Sequence, residues 1–150
     1  MDRELLFKCT MKREQRILVV DDDDAIRALV ETVLRRRGFL VDSARNGVHA
    51  LEQLATSEYA LIILDLMMPR MSGYELLDAL SRKSIVNRPP VLILSVGVEP
   101  RKFDPDLVIG VVHKPFDIEL VLDIVTGYLS PIETATTTNQ ARSLELQRHE

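Results

Sequence analysis

Five short apolar runs, three of them ending abruptly at an acid or a hydroxyl residue, constrain this chain more than any other feature. Ile17-Leu18-Val19-Val20 stops at Asp21, Ala60-Leu61-Ile62-Ile63-Leu64 stops at Asp65, and Val91-Leu92-Ile93-Leu94 stops at Ser95. Phe39-Leu40-Val41 and Ile109 to Val112 complete the set, and Lys114 closely follows the last. Such runs are brief, branched and without alternation, which predicts strands buried on both faces. Between them the apolar period lengthens to that of helices. Ile26, Leu29, Val30, Val33 and Leu34 share one helix face, and Gly38 stands at the C-cap position. Val48, Leu51 and Leu54 mark a second helix; Ser72-Gly73-Tyr74-Glu75 has the form of a capping box leading into Leu76, Leu77 and Leu80. Leu120, Val121, Ile124 and Val125 define the face of a last helix. Strands alternating with helices predict an α/β fold with a parallel sheet covered on both sides.

At 150 residues the chain has room for one core of this kind and not for two ordinary domains. We divide it into an N-terminal arm at 1–15, a folded domain at 16–130 and a flexible tail at 131–150, where Leu144 and Leu146 are the only large apolar residues after Ile132. A net charge of −4 argues against general attraction to nucleic acid or anionic lipid. The densest basic group, Arg35-Arg36-Arg37, falls where it complements a helix dipole. Cys9 is the only cysteine, so no internal disulfide can form. No signal-peptide core and no apolar stretch of ~18 residues is present. The expectation is a cytoplasmic protein that contacts neither membrane nor, directly, nucleic acid.

The informative polar residues all lie at the carboxyl ends of strands: Asp21 and Asp22 after the first, Asp65 after the third, Ser95 after the fourth and Lys114 after the fifth. In open parallel sheets that edge forms the ligand crevice. Taken singly each residue has a plainer reading, Asp23 or Asp24 as a helix cap and Asp65 as a turn former. Together they describe a pocket. Gathered carboxylates raise one another's proton affinity unless a cation intervenes, and Mg²⁺ suits a few carboxylates plus a carbonyl. A carboxylate can attack phosphorus to form an acyl phosphate, with Lys114 and the Ser95 hydroxyl facing the transferred group.

These residues resemble the receiver domain of bacterial two-component response regulators, over Arg16 to Leu129. ILVVDDDDAIR resembles the family's acidic opening, and LIILDLMMPRMSGYELL its phosphorylation segment. The resemblance implies a five-stranded, doubly wound, flavodoxin-like sheet of order 2-1-3-4-5. It makes Asp65 the phosphate acceptor, and gives Mg²⁺ to Asp21, Asp22, Asp65 and the backbone carbonyl of Met67. Pro69 and Gly73 shape the following turn, Ser95 takes the Ser/Thr position, and HKPF puts Lys114 in the family's Lys position before a cis Pro115. A histidine kinase or phosphotransfer protein would donate the phosphate, and an unknown downstream protein would read it. A homodimer stays open, and no separate metabolite is turned over, so the chain is not read as an enzyme.

Departures gather in the second half. Where members commonly carry Tyr or Phe, three residues before the Lys, this chain has Val111, so no ring is available to bury on switching. Val96 stands where Ala or Gly is usual and is expected to narrow access to Asp65. Pro100 and Pro105 predict a fourth helix that is short or absent. His113 should alternate away from the pocket. Two other readings remain: a degenerate receiver acting only in docking or dimerisation, and a haloacid-dehalogenase-like phosphatase built on the Asp21-x-Asp23 pattern.

Overall fold

The computed structural model describes residues 15–82, 88–96 and 102–129. Strand β1 (Arg16–Val20) leads into helix α1 (Asp24–Arg36), β2 (Leu40–Ala44), α2 (Gly47–Thr56), β3 (Leu61–Asp65) and α3 (Gly73–Ser81). Strands β4 (Val91–Val96) and β5 (Val108–Lys114) follow, and α4 (Ile118–Tyr128) closes the domain. All pairings are parallel, in the order β2-β1-β3-β4-β5 expected from the resemblance.

The apolar runs of β1, β3 and β4 are buried because both faces of the sheet are covered there. Strands β2 and β5, at the sheet edges, are only partly buried, short of the two-sided burial that their sequence predicts. Ile17, Val19, Ile63, Leu92 and Leu94 point to one face, where Val30, Leu34, Val121 and Val125 of α1 and α4 meet them. Leu18, Val20, Ile62, Leu64 and Ile93 point to the other, under Ala50 of α2 and Leu76, Leu77 and Leu80 of α3. At about 25 cal/mol per Å², this two-sided burial supplies most of the drive to fold. Strand β5 carries one extra residue against β4, with the register shifting between Val91 and Leu92.

Local signals set the boundaries. Asp23 caps α1 by accepting from the N–H groups of Ala25 and Ile26. At the other end Gly38, at φ 92°, lets its own N–H reach Arg35 O at 3.0 Å and that of Phe39 reach Leu34 O at 3.2 Å. Arg35 and Arg36 occupy the last turn. The Ser72/Glu75 capping box opens α3 as anticipated.

The buried faces of the helices are narrower than the apolar spacing predicts. Leu29 and Leu120, placed on core faces by spacing, are exposed, as is Val48. In α4 the buried residues are Val121, Leu122 and Val125. The core stripe runs through those three, and Leu120 lies at its wet edge, because adjacent helical residues diverge by ~100°. Between β4 and β5, residues 102–104 are irregular and 105–107 form a turn, with Pro105 in it, so no helix occurs there among the described residues. Pro100, most of the N-terminal arm and the tail at 131–150 lie outside the described residues.

Candidate phosphoryl-acceptor site

Order in the sheet reverses between β1 and β3, and the crevice at their carboxyl ends is the place where side chains from both strands can meet. Asp21 follows β1 and is 1% exposed; Asp65 ends β3 and is 3% exposed. Asp22 stands at the exposed rim. Oxygens of Asp21, Asp22 and Asp65 lie within 4.8 Å of one another, the one such acidic group among the described residues. Lys114, at the end of β5, reaches across β4 to this centre. Its Nζ lies 3.1 Å from Asp21 Oδ2 and 3.5 Å from Asp65 Oδ1. Ser95 is buried at the end of β4, paired in register with His113, which is itself exposed.

The electrostatics follow from this crowding. Burial, then the charge of Asp21, pushes the Asp65 carboxyl up to about 7, against the opposing pull of Lys114 and of the Met67 N–H. One ammonium therefore does not balance the buried acids. A hard divalent cation would, and the donor set fits one: carboxylate oxygens close enough to share an ion, with no thiol or imidazole among them.

Several backbone contacts hold the acids in place. Asp21 donates its N–H to Ala44 O at 3.2 Å and accepts the Asp23 N–H on Oδ1 at 2.9 Å. Asp65 Oδ1 accepts the Met67 N–H at 3.3 Å, while the Met67 side chain is exposed. Gly73 seals the turn from Asp65 to α3. Its N–H bonds to Leu66 O at 3.0 Å, and a Cβ at this position would fall 2.5 Å from Asp65 O and 2.6 Å from Leu66 Cα. The Lys114–Pro115 peptide is cis.

Arg27 joins the site although its place in the sequence does not mark it. Its Nη1 donates to the Asp21 carbonyl at 2.8 Å and its Nη2 bonds to Asp24, whose carboxyl it holds below the ordinary range. A lone Arg one turn into a helix gives little warning of this; the Asp24-x-x-Arg27 spacing is the only trace. The phosphatase pattern, in contrast, does not assemble. Asp23 is exposed, and its Oδ1 serves the N-terminus of α1.

Comparison with known proteins agrees with this geometry. The family model for the response regulator receiver domain matches residues 17–126. The chain belongs to that family. Among curated relatives, protein PetR of Rhodobacter capsulatus is 36% identical over 124 residues, covering 81% of this chain and 51% of PetR. The transcriptional regulatory protein CpxR homolog of Haemophilus influenzae is 38% identical over 117 residues, covering 73% of this chain and 48% of that protein. The chain thus spans about half the length of these relatives. Vibrio cholerae chemotaxis protein CheY4 matches with a TM-score of 0.68 and 30% identity, over 77% of this receiver and 98% of CheY4. The response regulator TrrA of Thermotoga maritima, solved with Mg(2+)-BeF, matches with a TM-score of 0.66 and 31% identity, over 77% and 99%. Receivers of this family are signalling modules, and the CpxR homolog, CheY4 and TrrA carry the names of regulators. Some are named as transcriptional regulators, so the expectation of no nucleic-acid partner draws no support from them. Among the described residues no helix is long and apolar enough to cross a membrane.

Proposed function

We propose that this receiver accepts a phosphoryl group on Asp65 from a histidine kinase or phosphotransfer protein and signals through the change in shape that follows. The observation that carries this reading is the buried Asp65 carboxyl, within 4.8 Å of the Asp21 and Asp22 oxygens and 3.5 Å from the Lys114 ammonium. An Asp65 oxygen attacks the phosphorus of phosphohistidine, the P–N bond breaks, and the imidazole leaves with the electron pair. Lys114 holds a fixed positive charge beside the oxygens of the transferred group, and the Ser95 hydroxyl faces them from the neighbouring strand. Asp21, Asp22 and Asp65, joined by the Met67 carbonyl, would hold a divalent ion, for which Mg²⁺ is the natural choice by hardness and ligand type. Bound there, Mg²⁺ supplies neutralisation of the attacking carboxylate and of the incoming phosphoryl oxygens. The setting is the cytoplasm, where such donors reside, and the reader of the signal is a protein partner.

Incubation with acetyl phosphate and Mg²⁺, followed by intact-mass measurement, should give one phosphoryl adduct. The adduct should be absent in Asp65→Asn and should fail to form when the metal is chelated. An unmodified wild-type chain, or an adduct that persists in Asp65→Asn, would sink the reading.

A second reading keeps the fold and discards the chemistry: a receiver that only docks or dimerises. It is favoured by Val111, which leaves no ring to rearrange, and by Val96, which stands 65% exposed at the mouth of the crevice.

A further inference from the structure

Arg27 is the strongest feature that the phosphoryl-transfer reading leaves unused. It sits among exposed acids, yet only 12% of its side chain is exposed. It turns back from α1 to the loop that precedes its own helix, where Nη1 meets the Asp21 main-chain carbonyl at 2.8 Å. Asp21 is then held at four points: its N–H by Ala44, its carbonyl by Arg27, Oδ1 by the Asp23 N–H and Oδ2 by Lys114. The carbonyl matters most for Asp22. It belongs to the peptide that joins the two acids, and fixing that plane fixes where the Asp22 N and Cα stand, leaving rotation about the N–Cα bond as the one backbone freedom that aims its carboxylate. Asp22 is exposed at the rim, whereas Asp21 is buried.

Resting on the cation site proposed above, we infer that Arg27 is a positioning residue: it locks the Asp21–Asp22 peptide so that both carboxylates face the ion that Asp65 shares. Groups one step removed from a metal typically change its affinity by ~10–100-fold when lost. The sign of the effect separates positioning from charge. A guanidinium beside a cation site repels the cation, so charge alone requires Arg27→Ala to bind Mg²⁺ more tightly. Positioning requires the reverse.

The experiment is calorimetric titration of the full chain with MgCl₂ at pH 8, together with the melting temperature of each metal-free variant. We expect Arg27→Ala to bind Mg²⁺ about tenfold more weakly than wild type. Arg27→Lys, which keeps the charge and one reaching donor, should recover part of that loss. Affinity unchanged or tightened in Arg27→Ala would overturn the inference. So would Arg27→Lys binding more weakly than Arg27→Ala, since that is the order set by charge. A lower metal-free melting temperature with unchanged affinity would also overturn it, by showing a purely structural role. Wild type that binds no Mg²⁺ overturns the underlying site instead, and the acetyl phosphate labelling reports on that independently.

Discussion

At Asp65 the demands of folding and of chemistry oppose one another. In the metal-free protein its carboxyl is raised from 3.8 to about 7, chiefly by burial and then by Asp21. Between those values the folded state holds a proton that the unfolded chain has released. Stability from this group is therefore complete below about pH 4 and is lost as pH rises through 7. Asp65→Asn removes the charge without changing the shape. Measured by thermal denaturation in EDTA, the variant should melt several degrees higher than wild type at pH 8, at about 4 °C per kcal/mol, and at nearly the same temperature near pH 4. A wild-type chain as stable as the variant at pH 8 would show that Asp65 is not crowded by its neighbours. The same residues mark what sequence could reveal. Asp21, Asp65 and Ser95 each interrupt an apolar run, so strand burial alone puts them at one edge of the sheet. Arg27 interrupts nothing. Its contact with the Asp21 carbonyl depends on the path of a loop, and no period in the sequence encodes that.

At the scale of elements, α3 is where the site is joined to the rest of the domain. Gly73, its first residue, lies against the backbone of Asp65 and Leu66, atoms that cannot swing aside. Gly73→Ala should force the helix away from the acceptor loop and cost about 1–3 kcal/mol, the usual range for overpacking. Gly127, in the last turn of α4, is the contrasting case, because a Cβ there meets nothing within 4 Å. Gly127→Ala should stabilise by about 0.5 kcal/mol through helix propensity. Urea denaturation of both variants gives the two signs; a neutral Gly73→Ala would mean that α3 is not seated on Asp65. Caps and stops of the helices were legible because Asp23, Ser72, Glu75 and Gly38 act through their own neighbours in sequence. The helix faces were less so. Leu29, Val48 and Leu120 continue the apolar pattern but lie beyond the reach of the sheet, and only the packed geometry reveals where the buried stripe ends.

For the whole molecule the open matter is how a change at Asp65 would travel without an aromatic ring at position 111. The structure holds another pair of rings on the same side of the sheet. Tyr74, directly after Gly73, stacks on Phe103 with centroids 6.4 Å apart and planes 17° from parallel. Phe103 adjoins Asp104, whose carbonyl accepts the N–H groups of Leu107 and Val108 at the start of β5. Arg88 ties the same turn to the far end of α3, with Nη2 3.4 Å from Asp104 Oδ2 and Nη1 3.4 Å from Ser81 O. Strand β5 ends at Lys114, which returns to Asp65. A closed series of contacts thus runs from the acceptor through α3 and the turn to β5 and back. If the domain switches, amide NMR shifts on adding Mg²⁺ and beryllofluoride, a phosphoryl mimic, should extend from Asp65 and Lys114 to Tyr74, Phe103, Asp104 and Val108 through Val111. In Phe103→Ala the shifts at the pocket should persist while those along 104–111 largely disappear. A receiver that only docks predicts perturbation confined to the acids, Ser95 and Lys114, and that outcome would reject switching through this path, because two rings in contact cannot stay unperturbed while the helix carrying one of them moves.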